Sequence, residues 1–67
     1  MKITLNNNPS EIIQDEISVQ ELLTLQKFTF KMLIIKINDK LVKKEEYETA
    51  LIHDGDKVDV IHLISGG

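Results

Sequence analysis

The chain has 67 residues, 42% of them apolar and 28% charged, with one proline and three glycines, a balance that fits one small folded domain and excludes disorder or low complexity. No cysteine is present, which removes disulfides, thiolate metal sites and cysteine nucleophiles together. Eight lysines, no arginine and eleven acids give a net charge of −3, and without arginine the best bidentate ligand for phosphates and base edges is missing, which argues against nucleic acid as a partner.

A domain of this size buries only about 60% of its unfolded surface, so its stability must come from one compact core. Mild acidity suits solubility and docking onto a basic surface. The MKITLNNN opening lacks the apolar stretch of a signal peptide and no apolar run approaches membrane-spanning length. The expectation is a soluble, cytoplasmic chain, monomeric when free.

Met1, Ile3 and Leu5 alternate with polar residues and share one face of an opening strand. Asn6, Asn7, Asn8 and Pro9 form a turn cluster, after which Ser10 to Ile13 returns as a second strand of a hairpin. Ser18-Val19-Gln20-Glu21 has capping-box spacing and opens a helix whose apolar stripe is Val19, Leu22 and Leu23, with Leu25 off the stripe. Phe28, Thr29 and Phe30 end the helical pattern after two to three turns.

Met32 to Ile37 is the most strand-like run, with Leu33, Ile35 and Ile37 on one face and Met32, Ile34 and Lys36 on the other. Asn38-Asp39 turns into a short strand, Lys40 to Val42, and the polar stretch from Lys43 to Thr49 reads as a connection or single helical turn anchored by Tyr47. Asp54-Gly55-Asp56 is a strong turn, and Lys57 to Ile64 is a last strand apolar enough to lie in the middle of a sheet. Four or five strands and one amphipathic helix make an α+β layer pair.

The sequence closes on Ser65-Gly66-Gly67. Two glycines without side chains can slide through a channel too narrow for other residues, and Ile64 to Gly67 reaches roughly 13 Å when extended. A terminal carboxylate at Gly67 is inert until it attacks the α-phosphate of ATP, which makes a mixed anhydride with AMP as a good leaving group. The chain has no Gly-rich phosphate loop and no Cys/His metal cluster, so ATP must be bound elsewhere. His53 and His62 flank a tight turn with no third ligand, and Asp54 and Asp56 lack the full calcium-loop pattern, so these read as ordinary structural residues. Alternation predicts that Met32 and Ile34, with Ile61 and Leu63, share the sheet face away from the helix as a candidate docking patch, the alternative being that long lysine stems or the Phe28 and Phe30 segment cover it.

The MKITLNNNP opening, the SVQELL helix start, IKINDKLV followed by Glu45 to Tyr47, the HDGDKVDVIHLI strand entry and the terminal Gly66-Gly67 together resemble the ThiS family, sulfur carriers of thiamin biosynthesis within the ubiquitin-like β-grasp superfamily. Lys43-Lys44 departs from that pattern, where members often carry proline and arginine. The resemblance implies an α+β fold with a mixed four- to five-stranded sheet packed on one main helix, its first and last strands parallel at the centre. It implies a β-grasp domain over residues 1–64 and a flexible tail over 65–67.

It also implies a protein cosubstrate with no catalytic, cofactor-binding or metal-binding residue of its own. On that resemblance a ThiF-type adenylyltransferase would activate Gly67 with ATP and magnesium, a sulfur-donor protein would supply the sulfur, and a thiazole synthase of ThiG type would receive it. Gly66 and Ser65 form the tail that allows passage. Two alternatives stand beside this reading: a carrier delivering sulfur to molybdopterin, and a ubiquitin-like interaction module or protein modifier.

Overall fold

The computed structural model describes residues 1–28 and 32–62. Its elements are β1 (Lys2–Leu5), β2 (Asn8–Glu11), β3 (Glu16–Ser18), α1 (Val19–Leu25), β4 (Leu33–Ile37), β5 (Lys40–Val42), a 3₁₀ turn (Lys44–Glu46), β6 (Leu51–His53) and β7 (Lys57–His62). Five strands make one sheet in the order β2-β1-β7-β4-β5, and β3 pairs with β6 in a separate ribbon. β1 and β7 are parallel, while the other pairs are antiparallel. A parallel pair needs a long crossover, and here that connection carries the helix.

Both hairpins of the main sheet turn on two residues in the left-handed region, Asn6 (φ 50°) with Asn7 (φ 67°) and Asn38 (φ 50°) with Asp39 (φ 69°). Backbone twist in such turns matches that of the flanking strands, and asparagine and aspartate tolerate positive φ better than most residues. Because Asn6 and Asn7 complete the first turn, β2 begins at Asn8 and ends at Glu11, earlier than the expected Ser10 to Ile13. Pro9 is accommodated because β2 is an edge strand. Ile12 then folds inward, its N–H donating to the Met1 carbonyl at 2.8 Å, and Ile13 is left 99% exposed.

Ser18 caps α1 as expected: its Oγ accepts from the Glu21 N–H at 3.1 Å and Glu21 Oε1 accepts from the Ser18 N–H at 3.1 Å. The remaining first-turn donors are met by the later connection, Val19 N–H by the Ala50 carbonyl at 3.0 Å and Gln20 N–H by the Tyr47 carbonyl at 2.8 Å. The polar stretch after β5 therefore closes the helix N-terminus, where unpaired donors otherwise accumulate. At the other end Lys27 takes φ 56°, and the Phe28 N–H donates back to the Leu23 carbonyl at 2.9 Å, a Schellman closure formed without glycine. Thr29 and Phe30, expected to end the helix, lie outside the described residues.

β3 and β6 were not expected. Each is three residues long, too short for alternation to be read, yet Ile17 and Ile52 face each other across the ribbon and both are fully buried. The core joins them to Ile3, Leu5, Ile35, Val58 and Val60 of the sheet and to Val19, Leu22 and Leu23 of the helix. The expected stripe of α1 is thus the buried one, and Leu25 is half exposed.

Candidate functional site

Ser65, Gly66 and Gly67, the expected carrier end, and Leu63 of the expected patch lie outside the described residues. The structure places the strand that leads to them. β7 is the middle strand of five, paired with β1 through Thr4↔Lys57 and Leu5↔Val58 and with β4 as far as Leu33↔His62. Its start is anchored from several sides. Asn38 Oδ1 accepts from the Lys57 N–H at 2.9 Å, and Asn6 Oδ1 accepts from the Val60 N–H at 2.7 Å. Beyond Val60 the strand is held on the β4 side, through Ile34↔Ile61 and Leu33↔His62.

Alternation along β7 sends Val58 and Val60 into the core and Lys57, Asp59 and Ile61 to the other face. Ile34 stands directly opposite Ile61, so two members of the expected patch meet across the strands. Ile61 is 43% and Met32 52% exposed, and Ile34 is half-buried. Toward the Asn38-Asp39 turn the surface becomes charged: Lys36 faces Asp59, and Lys57 Nζ lies 3.3 Å from Asp39 Oδ1 and 4.0 Å from Asp59 Oδ2.

The other chemistry-bearing residues are engaged in holding the chain together. In the turn before β7, Gly55 takes φ 85°, a conformation suited to glycine. Asp54 Oδ1 accepts from the Lys2 N–H at 2.6 Å and Asp56 Oδ2 from the His53 N–H at 2.9 Å. These carboxylates cap backbone donors. His53, expected in a loop, ends β6, and its Nε2 lies 2.7 Å from Glu16 Oε2, fastening the ribbon on an exposed surface. Among the described residues no cluster of three His, Cys, Asp or Glu side chains is arranged to hold a metal ion, and no helix is long and apolar enough to cross a membrane. Burial raises the Tyr47 phenol above the ordinary value of 10.0.

A groove of about 920 Å³ opens between the C-terminal half of α1 and β5, and Met32 and Ile34 of the expected patch line it together with Leu41, Lys43 and Lys44. Its walls are more than a dozen residues apart in the chain, so no local motif announces it.

The ThiS family model matches residues 3–67. Sulfur carrier protein ThiS of Bacillus subtilis (strain 168) is 26% identical over 65 residues, covering 97% of this chain and 98% of that protein. An uncharacterized protein, ycf40, of Porphyra purpurea is 30% identical over 67 residues, covering 100% of this chain and 93% of its own length. Among solved structures, the crystal structure of a thiamine biosynthesis protein (ThiS) from Geobacter metallireducens superposes with a TM-score of 0.90 at 26% identity, covering 100% of both chains. A solution structure of a thiamine biosynthesis protein from that organism gives 0.81 at the same 26% identity, covering 100% of this chain and 88% of the other. A mixed five-stranded sheet on one helix, superposing on ThiS from end to end, is the ubiquitin-like β-grasp. With that fold, and with a family match running through the terminal Gly-Gly, the chain belongs to the ThiS family.

Proposed function

We propose that Gly67 is the atom-bearing end of this carrier: its carboxylate is adenylated by a ThiF-type enzyme, converted to a thiocarboxylate, and spent as sulfur donor by a thiazole synthase. Family membership carries the coarser statement, that the chain is a sulfur carrier of thiamine biosynthesis. The observation that supports the finer one is the extent of the family match, which includes Gly66 and Gly67.

The chemistry follows from the end group. A carboxylate oxygen attacks the α-phosphorus of ATP, magnesium-bound in the activating enzyme, and pyrophosphate leaves. Sulfur at the sulfide level, delivered by a donor protein, then attacks the acyl carbon and AMP leaves. The folded domain contributes recognition area and a rigid stem, while the enzymes supply the electrophilic and basic groups. Ile34 and Ile61, apolar and opposite each other on the open sheet face, are the proposed docking pair, with Met32 and Leu63 beside them in the proposal.

Deletion of Gly67 tests the reading. The full chain supports ATP–pyrophosphate exchange by a ThiF-type enzyme, whereas the truncated chain folds normally and supports none. Exchange at the full rate with the truncated chain overturns the assignment.

A further inference from the structure

We propose that the groove between α1 and β5 is a second docking site, taking an extended, acidic and apolar segment of a protein partner. Its floor is apolar, with Leu23 and Phe28 on one side and Leu33, Val42 and Tyr47 on the other, and about 920 Å³ is room for several side chains. Three lysines, Lys27, Lys43 and Lys44, line it, and no acidic side chain among the described residues does. None of the three makes an ion pair with a described residue. Glu46 Oε1 accepts from the Lys43 N–H at 3.0 Å but lies outside the lining, so on a chain of net charge −3 the lining itself is a local patch of the opposite sign, and it selects a partner segment carrying carboxylates.

The backbone points to an extended occupant. β5 is one of the two edge strands of the sheet, and among the described residues no strand pairs with its outer side. Ile37 and Lys40 flank a two-residue turn and pair with each other, as do Lys36 with Leu41 and Ile35 with Val42. Hydrogen-bonded and non-bonded pairs alternate from the turn outward, so Leu41 directs its N–H and C=O away from β4, toward the open edge. A strand laid there gains main-chain bonds at Leu41 and sends alternate side chains over the floor. Leu33 belongs to the floor and pairs with His62, the last described residue of β7. A segment seated in the groove therefore stands beside the point from which the tail departs, within roughly 17 Å of extended chain from Gly67. The structure thus assigns the segment to an enzyme that handles the tail, a step that rests on the carrier reading above.

The binding test is independent of that reading. The probe is a blocked peptide of about eight residues alternating leucine with glutamate, titrated into the isotopically labelled full chain and followed by amide chemical shifts. The expected result is shifts concentrated at Thr24 to Phe28 and Leu41 to Tyr47, with affinity falling steeply as salt rises. The triple variant K27Q/K43Q/K44Q, which neutralises exposed side chains and should leave the circular dichroism spectrum unchanged, should bind about tenfold more weakly. Equal affinity of wild type for a leucine–lysine peptide, shifts centred on Thr4, Asp59 and Ile61, or filling of the groove by a second copy of the chain overturns the proposal. With a ThiF-type enzyme the triple variant should raise KM about tenfold at unchanged kcat. Deletion of Gly67 removes turnover altogether, so failure of the carrier reading and failure of the groove give different results.

Discussion

Val60 and Ile61 are consecutive on β7 and both β-branched and apolar, yet Val60 is 8% exposed and Ile61 43%. The helix and the β3–β6 ribbon cover the side of the sheet that Val60 faces, and among the described residues nothing of comparable size covers the side that Ile61 faces. One strand therefore carries two kinds of apolar residue. On the covered side, removal from water is complete in the free domain and contributes to folding. On the open side, the same free-energy change is still available to a partner.

The largest effect breaks the comparison at that pair. Val60→Asp buries a carboxylate without a partner, at a cost of about 3–5 kcal/mol, which is comparable to the whole stability of a domain this small. The expected result is loss of the folded amide spectrum at room temperature. Ile61→Asp should remain folded with a penalty of about 1 kcal/mol, while its affinity for a ThiF-type enzyme falls at least about tenfold. Unfolding of the Ile61 variant would show that this face belongs to the core.

The same contrast recurs on α1. Leu22 is fully buried and Leu25 is 50% exposed, so Leu22→Ala should lower stability by about 2–5 kcal/mol and Leu25→Ala by less than about 1 kcal/mol in denaturant melts. Ser18→Ala removes the hydroxyl that accepts from the Glu21 N–H and should reduce stability by about 1 kcal/mol without altering the fold.

The smallest effect lies at the edge of the covered side, where Tyr47 packs against the core. Burial holds its phenol protonated above the ordinary 10.0. The folded chain then retains the proton that the unfolded chain has lost, so the contribution is fully present below pH 10.0 and disappears as pH rises through the raised value. With one tyrosine and no tryptophan in the chain, absorbance of the phenolate reports this titration directly; a midpoint at or below the ordinary value would place Tyr47 in water.

Much of this division was legible before the structure, because it depends on local rules. The period-2 alternation of Ile3 and Leu5, the Ser18–Glu21 box and the Val19, Leu22, Leu23 stripe each identify a buried face from neighbours within a few residues. What escaped depends on distance. Glu16 to Ser18 and Leu51 to His53 become strands only by pairing with each other across more than thirty positions, and the end of β2 is set by Ile12 reaching Met1. Open-face placement of Ile61 followed from alternation, since β7 holds its register to His62. The groove did not, because Lys27 and Lys43 come together only when β5 docks beside the helix end.

The carrier assignment itself is tested most directly by weighing the intact chain after incubation with a ThiF-type enzyme, ATP, magnesium and a sulfide source. Replacement of one carboxylate oxygen by sulfur adds about 16 Da, and fragmentation should locate that mass on Gly67. An unchanged mass, with the enzyme active on another carrier in the same buffer, or a gain located on any other residue, contradicts it.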